Sequence, residues 1–171
     1  MKGLAVRFEN VLATLALCGI MLLPLSEIAF RGLFSQGIPG AAPFAQNLTL
    51  WVGLLGAAIA ARDGKLLTLA TGEFLPRGLT GAAHLVGGLV GSAIATIFAI
   101  GGMALVTTER EAGDIIAVGV PVWAAVVVFP AAFALIATRL VWRASPHWAG
   151  RALAATGIIA GYYLASHPET L

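Results

Sequence analysis

Charge is scarce in this chain. Only 11% of its 171 residues are Asp, Glu, Lys or Arg, where a soluble domain carries about 25%. With 59% hydrophobic residues and a mean hydropathy of +0.93, it could not cover itself with polar surface in water. An integral membrane protein is therefore expected, and the length suits one compact bundle. The single cysteine, Cys18, excludes an internal disulfide framework, and its apolar surroundings mark it as a packed side chain rather than a reactive thiolate. The alternating ten-residue segments of a membrane barrel are missing. So are HExxH, CxxC, GxSxG and a phosphate-binding loop. The three histidines, His84, His147 and His167, fall at the ends of apolar runs, whereas a haem anchor needs them within facing helices. No enzyme, catalytic residue, metal or cofactor is expected, and a net charge of +2 is too small to suggest nucleic acid.

What is present is a series of apolar runs near 20 residues long, the length of a membrane-crossing helix. The first, residues 11–30, is too long and too closely followed by further apolar segments to be a cleaved signal peptide. It contains Pro24, which predicts a kink, and ends with Glu27 and Arg31 four residues apart, the favourable order for an ion pair on one helix face. A loop rich in Gly and Pro, residues 32–43, leads to a second helix over 44–61. Residues 63–81 are too short and too charged to span, and read as an interfacial segment in the headgroup layer, broken at Pro76. A third helix is expected over 83–106, followed by an acidic loop, and a fourth over 120–142, with Pro121 in its first turn and a kink at Pro130. A fifth apolar segment, 148–165, carries Gly157 and Gly161 at GxxxG spacing. The fold class is thus all-α: four core transmembrane helices, a fifth C-terminal helix and an interfacial segment between helices 2 and 3.

Small residues recur at four-residue spacing, which lets helix backbones approach closely inside lipid. On the second helix these are Gly53, Gly56, Ala57 and Ala60; on the third, Gly87, Gly91 and Ala95, with Gly88, Ser92 and Thr96 beside them. The two seams are expected to pack on each other. Trp51, Trp123 and Trp142 suit the membrane interface. If the N-terminus is cytoplasmic, eight of the ten basic residues fall on that side: Lys2, Arg7, Arg62, Lys65, Arg77, Arg139, Arg143 and Arg151. Arg31 and Arg110 fall on the other, an imbalance that supports this orientation. The C-terminus then lies outside with five spans and inside with four. Arg31, Glu109, Arg110 and Asp114 form the charged outward surface and are candidate contacts for a partner on that side.

The order of these parts resembles the small membrane subunit (Q-type, DctQ-like) of tripartite ATP-independent periplasmic (TRAP) transporters. The matching residues are Phe8-Glu9-Asn10, Glu27 with Arg31, and Trp51-Val52-Gly53-Leu54-Leu55-Gly56-Ala57-Ala58. They continue with Arg62-Asp63-Gly64-Lys65, Leu75-Pro76, Val120-Pro121-Val122-Trp123 and Phe129-Pro130. The chain departs from the family where Gln46 and Asn47 replace an acid and Lys65 replaces a histidine, and roles tied to those positions are not carried over. The resemblance implies a four-helix domain over 1–143 and an extra helix over 144–171. That helix resembles the linker of fused small and large subunits, so the chain is expected to be either a piece of a fusion or a subunit that keeps the helix. The resemblance further implies an inner-membrane scaffold subunit of an organic-acid transporter. Its partners would be the lipid bilayer, a large elevator-type subunit that carries substrate and sodium, and a periplasmic substrate-binding protein. The alternatives are an accessory subunit of another tripartite carboxylate transporter and a generic membrane scaffold. The scaffold role fits the residues, because charges between positions 11 and 142 fall at helix ends or in loops, and an intramembrane ionisable group would be the usual mark of an ion path.

Overall fold

The computed structural model describes residues 2–35, 37–38, 40–65, 80–117 and 119–167. Three long helices come first: α1 (Lys2–Phe34), α2 (Ala41–Asp63) and α3 (Thr80–Ala112). A small hairpin of β1 (Ile115–Ala117) and β2 (Val120–Pro121) follows, then α4 (Val122–Val126), α5 (Val128–Ala144) and α6 (Trp148–Ser166). Among the described residues, four stretches are long and apolar enough to cross a membrane: Val6–Phe34, Ala41–Asp63, Thr80–Ala112 and Val122–Ala144. The all-α bundle with four spans and a further C-terminal helix is what the sequence leads one to expect. Of the interfacial segment expected over 63–81, residues 66–79 lie outside the described residues, while Asp63 ends α2 and Thr80 and Gly81 open α3.

The boundaries follow local chemistry. α2 stops at Gly64, whose φ of +77° is the left-handed conformation that ends helices, and the Gly64 N–H donates back to the Ala61 carbonyl at 3.3 Å. The fourth span differs from expectation in two ways. Val120 and Pro121 are not helical but pair with β1, in the antiparallel register Ile115 to Pro121 and Ala117 to Val120. Pro121 becomes the residue before the helix, extended at φ −72° and ψ 142°, where its fixed φ fits and its missing N–H leaves no gap. The Val122 N–H then donates to the Asp114 carbonyl at 2.9 Å, which ties the hairpin to the start of the span. The second difference is the break at Val127 between α4 and α5, three residues before Pro130. Pro130 has no N–H to offer the Val126 carbonyl, so the helix is interrupted where the proline removes its bond.

The chain divides into two compact units. The first holds Met1–Gly56 and Leu105–Val128. In it α1 meets α2 closely at Gly19, where an added Cβ would lie 2.9 Å from Leu48 Cδ1. Ala16 and Ala41 are buried, while Leu15, Met21, Leu25, Ile28 and Leu33 of α1 are exposed. The second unit holds Ala57–Ala104 and Phe129–Leu171. Its core is built mainly of alanine: Ala58, Ala61, Ala95 and Ala137 with Ile136 and Leu140, flanked by Ala57 and Phe133. Lipid tails solvate large apolar side chains as well as another helix does, so tight backbone approach rather than apolar burial selects the interior.

Candidate functional site

In a bundle of apolar helices the features to follow are the surfaces that hold helices together and those left for something else. The tightest seam is in the second unit, between α3 and α6. An added Cβ at Gly157 would collide with the Leu89 carbonyl and the Ser92 hydroxyl, and one at Gly161 with the Ala93 carbonyl and, at 3.0 Å, Thr96 Cβ. Ser92 is fully buried, and its hydroxyl lies 3.0 Å from the Leu89 carbonyl and 3.1 Å from the Ala154 carbonyl across the seam. The Thr96 hydroxyl donates to the Ser92 carbonyl at 2.8 Å. Polar side chains thus meet backbone acceptors where two glycines allow contact. α3 also packs on α5: a Cβ at Gly88 would lie 2.5 Å from Ala144 Cβ, and one at Gly91 3.0 Å from Leu140 Cδ1.

The residues picked from sequence spacing fare differently. Ala95 joins Ala58 and Ala61 of α2 in the buried cluster, with Ala57 against it, so α2 and α3 do share a small-residue contact. Ala60 and Gly87 are half-buried. Gly53 and Gly56 are exposed, and a Cβ on either would meet nothing within 4 Å. Gly91 faces α5 rather than α2. Spacing identifies a face that permits close approach, but it does not name the helix that uses it.

Two side-chain bonds to backbone carbonyls went unforeseen. In the second unit, Arg139 Nη1 of α5 donates to the Ala58 carbonyl of α2 at 2.7 Å. In the first, Trp51 Nε1 donates to the Ala125 carbonyl at 2.8 Å, two residues before the break at Val127. Trp51 thus meets an acceptor beside the helix interruption. The cue was partial, since Pro130 frees the Val126 carbonyl, the neighbour of the one that Trp51 meets. Phe44, Asn47, Leu48, Trp51, Ile116, Val120, Ala124 and Ala125 line an apolar cavity of about 340 Å³ at this junction.

The outward candidates are at the surface. The Arg31 guanidinium pairs with Glu27 at 2.8 Å, as their spacing suggested, and stays exposed. Arg110 and Asp114 are exposed and Glu109 is half-buried. The Arg110 guanidinium lies 5.8 Å from the Trp123 ring centre, a cation–π contact between α3 and α4 within the first unit. Trp142 is exposed, with the Arg151 guanidinium 4.7 Å from its ring centre. Among the described residues no three His, Cys, Asp or Glu side chains gather as metal ligands would.

The sequence model of one family, described as tripartite ATP-independent periplasmic transporters, DctQ component, matches residues 20–150, more than half of the chain. No curated protein and no solved structure gives a match.

Proposed function

Because this chain belongs to the DctQ family, the small membrane component of TRAP transporters, we propose that it is the stationary brace of an organic-acid importer whose cargo passes through a larger membrane subunit. Family membership makes it a transporter component with four apolar helices. The bracing role is supported most directly by α1. Only 6% of the most apolar stretch of α1 is buried within the chain, against 28% for the fourth span. A helix so little used by its own chain offers a long apolar face to a second membrane protein. Residues 1–143 are the bracing domain and 144–171 the added helix. The N-terminus is on the cytoplasmic side of the bacterial inner membrane, and Arg31, Glu109, Arg110 and Asp114 belong to the outer platform on which a periplasmic binding protein lands. Sodium coupling and substrate selection reside in the larger subunit.

Co-purification tests this. The tagged chain, extracted in mild detergent, is expected to bring down a stoichiometric partner of about a dozen spans. Uptake by proteoliposomes holding that partner and the binding protein should depend on the chain. A chain that purifies alone and is stable, with uptake unaffected by its omission, would overturn the proposal.

A further inference from the structure

The second unit gathers five cations where α2 and α5 end and α6 begins. α2 carries Arg62 and is followed by Lys65; α5 carries Arg139 and Arg143 one turn apart; α6 carries Arg151. They are interlocked. Arg139 Nη1 donates to the Ala58 carbonyl at 2.7 Å, and Arg143 Nη1 lies 3.0 Å from where a Cβ on Gly64 would stand. Arg62 Nε meets Asp63 Oδ1 at 3.1 Å, and Arg151 Nε donates to the Ser145 carbonyl at 3.0 Å with its guanidinium over Trp142. Lys65 and Arg143 are exposed.

The charges do not cancel. Asp63 is the one acidic side chain of the second unit among the described residues, and the sequence over 66–79 adds one acid, Glu73, and one base, Arg77, leaving the net count unchanged. The carbonyl ends of α2 and α5 each supply about half a negative charge, and the N-terminal end of α6 about half a positive one. Between about three and four positive charges remain at one end of the unit after these are counted. Their depth identifies what meets them. They follow directly on two stretches apolar enough to cross a bilayer, and Trp142 and Trp148, 66% and 84% exposed, stand beside them. Interfacial tryptophan marks the headgroup layer, and the groups of opposite charge in that layer are lipid phosphates, which the guanidinium fork fits in a bidentate way.

We propose that this end of the second unit is a binding site for the phosphate groups of anionic phospholipids. It requires only that the unit sits in a membrane, so it stands or falls separately from the transporter role. The full chain is placed in nanodiscs of phosphatidylcholine containing phosphatidylglycerol, and the lipid retained around it is measured with spin-labelled analogues of each. Phosphatidylglycerol is expected to be preferred. The preference should fall about fivefold for each charge removed, in Lys65→Gln, in Arg143→Gln and in the triple variant with Arg151→Gln, which corresponds to about 1 kcal/mol per cation. Arg143→Lys should keep it. Arg139 is left in place because it holds the Ala58 carbonyl, and the two single variants at exposed positions keep the result readable if the triple variant misfolds. Equal retention of both lipids, or a preference unchanged in both single variants, overturns the proposal. So does selective displacement by inorganic phosphate relative to chloride at equal ionic strength, which would mark a soluble-anion site. Loss of a co-purifying protein with lipid preference intact would mark a protein-docking face and overturn it as well.

Discussion

A half-buried carbonyl beside a helix break gains from a donor, because lipid offers none. Here Trp51 supplies it to Ala125. A phenylalanine at position 51 would keep most of the ring's volume and lose the N–H, so Trp51→Phe isolates the hydrogen bond. Bonds of this kind between membrane helices average about 0.6 kcal/mol and reach about 1.7. The expected cost is near the upper part of that range, because the Ala125 carbonyl lies next to the interruption at Val127 rather than within an intact helical turn. Unfolding in mixed micelles would measure it, and hydrogen exchange at residues 122–128 should rise before exchange in the rest of the first unit. An unchanged exchange profile would show that the indole bond is incidental. This role was only half legible in the sequence. Tryptophan after a polar pair signals an interface and Pro130 signals a break, but the two positions are 79 apart and nothing in spacing says that they meet.

At the scale of elements, the four apolar runs, the Glu27–Arg31 pair and the C-terminal helix could be read directly, since each rests on length or local periodicity. The hairpin of β1 and β2 could not. Three residues pairing with two give no periodic signal, and Val120-Pro121 reads as readily as a helix entry. Seam partners were also out of reach, because a small-residue face is equally compatible with any neighbour. The structure now separates glycines that spacing alone cannot. Gly157→Leu would drive a side chain into the Leu89 backbone, which cannot yield as a flexible side chain does. Overpacking of this kind costs about 1–3 kcal/mol. Gly53→Leu and Gly56→Leu meet open space and should leave the isolated chain as stable or stabilise it by up to about 1 kcal/mol, because leucine is the better helix former. Thermal denaturation of the three variants in one detergent decides between them. Equal losses in all three would mean that the contact at Gly157 is not what sets the cost, since helix propensity alone favours leucine over glycine at each position.

At the scale of the whole molecule, the distribution of charge carries the argument. In the first unit the ends of α1 and α3 carry Arg31 and Arg110 among the acids Glu27, Glu109, Glu111 and Asp114, apart in sequence from the basic cluster of the second unit. Arg31 is paired along its own helix and Arg110 is stacked on Trp123, so both are held in place yet exposed. Side chains already ordered lose less freedom on meeting a partner than loose ones would. If this surface receives the periplasmic binding protein, Arg31→Glu combined with Arg110→Glu should weaken docking through encounter more than through chemistry of transport. Uptake by the reconstituted transporter is then expected to fall when the binding protein is dilute and to recover when it is abundant, with a steeper dependence on salt in the parent than in the variant. A uniform fall at every concentration would instead indicate a damaged assembly. No change at any concentration would leave these charges as solvated rim, the usual outcome for isolated exposed pairs, and would move the landing platform onto the larger subunit.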